Sequence, residues 1–525
     1  MSLLPYSMSL ANCSSLAISL PTVFGAKLLS LEAYPVRNYS KSVSIESNFN
    51  HDSLEVTNIS VCNVTVTHTH PGQGDTLTTQ IWLPVQPQWN ERMQAIGGGG
   101  WLAGASEYQE PGMAAAVFDG YAAITTDGGV PGDGMSTPWA LLSPGNVNLY
   151  ALQNVASVSL NDAALIGKSV IQSFYGKRPT FSYFSGCSHG GRQGLMLAQR
   201  YPTAFDGIAA SAPGVNWPNF FVANWFPQQV MNEMKQYPHP CELEALTKAA
   251  IKACDPNDGL TDGLISDPDS CHFNPQTLVG TGLNCSATGG PKAISEAAAA
   301  VANAAWTGAR SSNGSMLWYT LGYEADLTTM MSIASTMCSE GGMCMPGEHN
   351  SLFSSWIQQF VKKDEHFDLS SMSRSDYERV FRASVREYES IIGSNFADLS
   401  EFRESGGKII TVHGLADETV PYQNTRHYYD AVTALDPEVH DFYRLFESPG
   451  LAHCAPGAGA YPAGTFKALV EWVEHGVAPR TLLGKFQRSP QANQTNQQPN
   501  ETRILCPYPQ RARYLGGGSV RFACS

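Results

Sequence analysis

Short apolar runs separated by glycine-rich turns dominate the chain before residue 190. TVTHTH (65–70), TQIWLPV (79–85) and YAAITTD (121–127) read as strands, being rich in β-branched and aromatic residues. The period then changes. Leu149, Leu152, Val155 and Ala156 recur at helical spacing, which predicts one long helix over residues 146–175. TFSYF (180–184) has the pattern of a buried strand, RQGLMLAQRY of a helix, and FDGIAASAP (205–213) of the next strand. A strand–helix–strand order of this kind implies a parallel sheet, and hence an α/β protein. KIITVHG (408–414) and FYRLFESP (442–449) repeat the strand pattern. FKALVEWVEHG (466–476) is an amphipathic helix with Phe466, Leu469, Val470 and Val473 on one face and Gly476 as its C-cap.

Residues 217–395 break this grammar. They are helix-rich, carry six cysteines, and cluster Trp217, Phe220, Phe221, Trp225, Met330, Met331 and Trp356. The pattern predicts a core of residues 1–216 plus 396–525, with 217–395 inserted as a lid after the TFSYF strand and its serine turn. SPQANQTNQQPNET (489–502) reads as a loop.

The composition is that of a folded protein: 525 residues, 43% hydrophobic and 15% charged. The length allows two to four domains, or one core with a large insertion. A net charge of −14 without any long basic run argues against nucleic acid and anionic membranes as partners. No apolar run is long enough to span a bilayer. The first stretch, MSLLPYSMSLANCSSLAI, lacks a basic n-region and a sustained apolar core, so it makes a poor signal peptide. Twelve cysteines accompany N-x-S/T sequons at Asn12, Asn38, Asn58, Asn63, Asn284, Asn313, Asn493 and Asn500. With no C-x-x-C pair, this combination favours disulfides and a secreted, extracellular protein.

Candidate chemistry lies in YFSGCSHGGRQGL (183–195), where Gly186-Cys187-Ser188-His189-Gly190 fits G-x-S-x-G, the turn that exposes a nucleophilic serine at a strand end. A serine needs a base, and the base an orienting acid. HGLADETVP (413–421) places Asp417 just past a strand, and PGLAHCAPG (449–457) places His453 in the loop after the next strand, in the order Ser, Asp, His. Glu418 and His413 are the local rivals. Cys187 precedes the serine and Cys454 follows the histidine. If Ser188 and His453 are hydrogen-bonded, the cysteine backbones also approach, and a Cys187–Cys454 disulfide becomes geometrically natural. The alternatives are a free nucleophilic Cys187 thiol and two unrelated buried cysteines. Backbone donors for an oxyanion are the amide of His189 and the glycine loop AIGGGGWLAG (95–104), with Gly99 and Gly100 as candidates.

CDPNDGLTDGLISDPDSC (254–271) interleaves Asp255, Asp258 and Asp262 with glycines. This is a hard-oxygen set suited to Ca²⁺, although not an EF-hand; an acidic turn held by Cys254–Cys271 is the alternative. Cys338–Cys344 and Cys506–Cys524 can close local loops, Cys13–Cys62 would tie down the N-terminal segment, and Cys241–Cys285 is the remaining pair.

GCSHGGRQG, LADETVP and AHCAPG together resemble the Cys-Ser, Asp, His-Cys arrangement of the fungal tannase and feruloyl esterase family. TVTHTHPGQGD, AIGGGGWLAG and CDPNDGLTDGLIS extend the resemblance over most of the chain. It implies an α/β-hydrolase fold with a large inserted lid, Ser188 as nucleophile, His453 as base, Asp417 as orienter, and the Cys187–Cys454 bridge beneath them. It further implies a structural calcium ion in the lid, held by the side chains of Asp255, Asp258 and Asp262 and the carbonyls of Leu260 and Leu264, with no organic cofactor. The implied activity is hydrolysis of phenolic esters, most like that of a feruloyl esterase acting on hydroxycinnamoyl esters of plant cell-wall polysaccharides. Its substrate would be a small phenolic ester or a feruloylated oligosaccharide, and the protein a monomer or homodimer. A tannase acting on galloyl esters is the alternative. The lid's Trp, Phe and Met content favours the hydroxycinnamate, because gallate's three hydroxyls need hydrogen-bonding partners. A serine peptidase and a non-catalytic carbohydrate-binding hydrolase homologue are the readings from other classes.

Overall fold

The computed structural model describes residues 10–85, 87–285, 290–329, 332–339, 342–347, 351–454, 456–487, 502–516 and 521–525. Asn493, Asn500, Met330, Met331 and almost all of the 489–502 stretch lie outside the described residues.

Nine strands form one mixed sheet: β1 (Lys27–Val43), β2 (Leu54–Thr69), β3 (Leu77–Pro84), β4 (Arg92–Ile96), β5 (Ala122–Thr126), β6 (Phe181–Cys187), β7 (Gly207–Ser211), β8 (Lys408–Gly414) and β9 (Tyr443–Ser448). Their order is β1-β2-β3-β5-β4-β6-β7-β8-β9. The pairs from β5 to β9 are parallel, and β1, β2 and β3 form an antiparallel edge. The central residues of the parallel strands are buried because helices cover both faces. The covering helices include α1 (Glu110–Phe118), α2 (Ser159–Tyr175), α3 (His189–Arg200) and, after the insertion, α4 (Tyr422–Leu435) and α5 (Thr465–His475). Gly476 caps α5 in the left-handed conformation.

Two features depart from the pattern reading. The expected helix over 146–175 is interrupted. Asn146–Val147 pair as a strand, helix begins at Leu149 with the Asn148 side chain accepting from the Ala151 amide, and a π-helical turn spans Asn154–Val158. The turn frees the Val155 and Ala156 carbonyls, which accept hydrogen bonds from buried Arg192 at 3.3 and 2.9 Å. The long β1–β2 hairpin also escapes a strand reading over most of its length, because residues of β1 are half-exposed and polar and its register carries bulges.

Four aromatic residues of the 217–395 stretch are buried in packing contacts. Trp217, Phe220, Phe221 and Trp356 are at most 2% exposed and stack on one another and on Trp101 of the glycine loop. They form a hydrophobic joint between the 217–395 stretch and the glycine loop, and Trp217 also packs edge-on against His189 at 5.1 Å. Trp101 Nε1 adds a hydrogen bond to Ser355 Oγ across that joint.

Candidate active site

Ser188 sits between β6 and α3 with φ 62° and ψ −123°, a strained conformation for a non-glycine residue. The turn closes only because its neighbours lack side chains. A Cβ on Gly186 would lie 2.7 Å from the Gly190 carbonyl carbon, and one on Gly190 would lie 2.7 Å from the Gly98 oxygen. Asn50, buried in the loop before β2, braces the turn. Its amide nitrogen donates to Ser185 Oγ (3.0 Å), and its side-chain oxygen accepts from Ser211 Oγ (2.5 Å).

The Ser188 hydroxyl donates to His453 Nε2 at 2.9 Å, and His453 Nδ1 donates to Asp417 Oδ2 at 2.8 Å. Asp417 Oδ1 accepts from the Thr419 and Val420 amides at 2.9 and 2.7 Å, which fixes the carboxylate at the end of β8. Burial alone would raise the Asp417 carboxyl. The His453 charge and hydrogen bonds from His413 and His453 outweigh it and hold the group well below the usual carboxylate range. His453 is drawn the other way. Burial opposes its protonation, but the Asp417 charge and hydrogen bond, with Glu418 beyond, lift it above 6.5.

The rivals have other partners. His413 bonds Thr425 Oγ1 (2.7 Å) and the Val420 carbonyl (3.0 Å), and its Nε2 lies 3.3 Å from Asp417 Oδ2, so it supports the carboxylate. Glu418 Oε2 accepts the His453 amide at 3.1 Å and so positions the histidine loop. Cys187 and Cys454 are joined, with Cα atoms 5.9 Å apart. All twelve cysteines are paired: besides that bridge, Cys13–Cys62, Cys241–Cys285, Cys254–Cys271, Cys338–Cys344 and Cys506–Cys524. A free Cys187 thiol is thereby excluded.

The glycine loop runs beside the serine turn. Gly98 N is committed to Gln193 Oε1 at 2.9 Å, and Gln193 Nε2 holds the Ala103 carbonyl at 2.8 Å, so one α3 residue locks the loop at two points. Gly99 and Gly100 follow at its tip, and Gly100 (φ 56°) faces Leu352. His189 opens α3, where first-turn amides lack helical acceptors. Its ring is buried. Burial and the neighbouring Arg192 charge keep its pKa well below 6.5, so the imidazole is neutral. Arg192 itself is buried, with only neutral acceptors around its guanidinium, and burial lowers its pKa to about 9.

In the acidic loop, Asp255 accepts from the Asp262 and Gly263 amides, Asp258 Oδ1 from the Leu260 amide, and Asp262 Oδ1 from the Leu264 amide. Asp262 also pairs with Arg503. Asp258 Oδ2 is buried with no hydrogen-bond partner among the described residues. Of the sequons, Asn38, Asn58, Asn284 and Asn313 are exposed and Asn12 half-buried. Asn63 is buried, its amide nitrogen donating to Tyr34 Oη at 2.8 Å, which leaves no room there for a glycan. No helix among the described residues is long and apolar enough to cross a membrane.

The family model described as tannase and feruloyl esterase matches residues 62–525. A probable feruloyl esterase from Arthroderma benhamiae is 39% identical over 513 residues, covering 96% of this chain and 91% of that protein. A tannase from Aspergillus oryzae is 26% identical over 549 residues, 95% and 89% of the two chains. Among solved structures, tannin acyl hydrolase from Aspergillus niger superposes with a TM-score of 0.85 at 27% identity, covering 98% of this chain and 95% of its own.

Proposed function

Because the chain belongs to the tannase and feruloyl esterase family and is a carboxylic ester hydrolase, we propose that Ser188, His453 and Asp417 carry out its acyl transfer on hydroxycinnamoyl esters. The observation that carries the reading is the continuous path Ser188 Oγ, His453 Nε2, His453 Nδ1, Asp417 Oδ2, in two hydrogen bonds of 2.9 and 2.8 Å. His453 Nε2 takes the hydroxyl proton as Ser188 Oγ attacks the ester carbonyl. Asp417 stabilises the imidazolium and remains ionised. The oxyanion is held by the His189 amide and by Gly99 or Gly100, since the Gly98 amide is already engaged. Collapse breaks the ester C–O bond, and His453 returns its proton to the leaving alkoxide. Water, deprotonated by the same histidine, then releases the phenolic acid and restores Ser188.

The feruloyl reading rests on the 39% identical relative named for that activity. A galloyl substrate is the second reading, favoured by the 0.85 TM-score to a tannin acyl hydrolase. The fold class that fits is an α/β-hydrolase core with residues 217–395 as its lid. The acidic loop fits a calcium ion by its donor chemistry: three carboxylates, one of them with an unpartnered buried oxygen. Asp255, Asp258 and Asp262, with the Leu260 and Leu264 carbonyls, would hold it, and the ion would supply only rigidity. Six disulfides support an oxidising, extracellular setting.

Initial rates on methyl ferulate, methyl caffeate, methyl p-coumarate and methyl gallate, with Ser188→Ala as control, test both parts. Cinnamate turnover that vanishes in the variant is expected. Turnover of gallate alone would replace the substrate while keeping the mechanism, and equal rates for both proteins would remove Ser188 as nucleophile.

A further inference from the structure

His68 and His70, at the end of β2, meet Asp162 on α2 in a fully buried cluster. His68 Nε2 lies 3.6 Å from Asp162 Oδ2, and His70 Nε2 lies 3.0 Å from the same oxygen. One ligand atom from each residue falls within 4.8 Å of the others. Behind them stands an orienting layer. His70 Nδ1 is 2.6 Å from Asp75 Oδ2, which also accepts from Asn154 Nδ2 at 2.9 Å, while Asp75 Oδ1 accepts the His70 amide at 2.7 Å. His70 Nδ1 is thus fixed as the donor, and the Nε2 lone pair is directed at Asp162, as in carboxylate–histidine–metal arrangements.

A proton on His70 Nε2 would satisfy that ring and both carboxylates. It would leave His68 unexplained: the side chain is 0% exposed, and neither ring nitrogen has a hydrogen-bond partner among the described residues. Nε2 faces Asp162 Oδ2 at 3.6 Å without a hydrogen bond, which is costly in a core residue unless something occupies the space between them. We propose that His68, His70 and Asp162 form a three-ligand site for a zinc-class divalent cation that ties the end of β2 to α2, distinct from the acidic loop and from the catalytic centre. A tetrahedral ion with bonds of about 2.0–2.1 Å sets ligand–ligand edges of about 3.3–3.4 Å, between the two separations observed here. Two imidazoles and one carboxylate suit zinc or cobalt; calcium instead takes six to eight oxygens. The fourth position would hold water.

The test uses the full-length chain, tag removed, produced in medium supplemented with zinc or cobalt and dialysed against EDTA. Elemental analysis should find about one zinc per chain, unchanged in Asp258→Asn and at least tenfold lower in His68→Ala, whose side chain makes no hydrogen bond to lose. X-ray absorption of the zinc-loaded wild type should show scattering from two imidazoles, a readout independent of any variant's folding. Wild type without retained metal, a spectrum lacking imidazole scattering, or full occupancy in a folded His68→Ala protein would each overturn the site, leaving a proton or a water molecule as its occupant.

Discussion

Removing the Cys187–Cys454 bridge separates two effects that the structure places at one point. The bridge spans 267 residues of sequence, and the chain-entropy relation assigns a closed loop of that length about 5–6 kcal/mol. The Cys241–Cys285 and Cys338–Cys344 bridges, with separations of 44 and 6 residues, shorten the loop. Because the dependence is logarithmic, they lower the figure by only about 0.2 kcal/mol. Measured bridges fall mostly at about 2–4 kcal/mol, so Cys187→Ala/Cys454→Ala should lose between about 2 and 6 kcal/mol in guanidinium unfolding followed by tryptophan fluorescence. Catalysis should suffer separately. The histidine loop would keep Glu418 on the His453 amide (3.1 Å) and Glu324 on the Gly450 amide (3.2 Å), but would lose its covalent tie to the serine turn. A displacement near 1 Å costs on the order of 10² in rate, so kcat on methyl ferulate should fall about a hundredfold in a protein still folded at 25 °C. A double variant with wild-type kcat would refute the claim that the bridge sets the Ser188–His453 distance. An unchanged unfolding midpoint would refute the entropic argument.

Asp417→Asn should lower kcat by about 10⁴ by disturbing the His453 tautomer. The Asp417 charge also lifts His453 above 6.5, and imidazolium cannot accept the Ser188 proton. Wild-type kcat/KM should therefore fall as pH drops through that raised value; the residual activity of the variant should persist to lower pH, and an acid limb moving upward would contradict the assignment. Asp417 is depressed in the folded protein, so its stabilisation is present above its unfolded value near 4 and disappears only as pH falls through the lower folded value; acid unfolding at low salt reads this. Arg192→Met leaves the Val155 and Ala156 carbonyls of the π-turn without their donor and should cost about 1–3 kcal/mol, read as a lowered Tm. Chelation by EGTA should lower the wild-type Tm, and Asp258→Asn should abolish the EGTA effect; an equal effect in both proteins would place calcium elsewhere.

The strands beside the candidate site were legible because each is a short, mostly apolar run bounded by turn residues. β7, β8 and β9 fall within the stretches read as strands, whereas β6 runs to Cys187, three residues beyond the stretch read for it. What escaped was support from far along the chain. Asn50 braces the serine turn from more than 130 residues away, and Gln193 locks the glycine loop from about 90. Neither has a local signature, since an asparagine before a strand and a glutamine on a helix are ordinary residues. The aromatic cluster was legible as a set of side chains but not as a packed joint: a dry joint and a ligand pocket select the same residues, and only packing separates them.

His453 illustrates why a motif cannot by itself specify a site. His453 lies on a loop rather than on an element, so every constraint on its ring comes from other segments. Asp417 and Glu418 approach from the end of β8, and Cys187 from the serine turn. Glu324 reaches in from the insertion, and it accepts two amides at once: Gly450 at 3.2 Å, three residues before His453, and Ile265 at 2.7 Å, in the acidic loop. A Cβ on Gly450 would lie 2.4 Å from Leu264, so glycine is required where the two loops touch. The acidic loop and the histidine loop are consequently one packed unit, and order imposed on the first is transmitted through Glu324 to the backbone that carries the base. Residues of the 217–395 stretch are thus part of what holds His453 2.9 Å from Ser188.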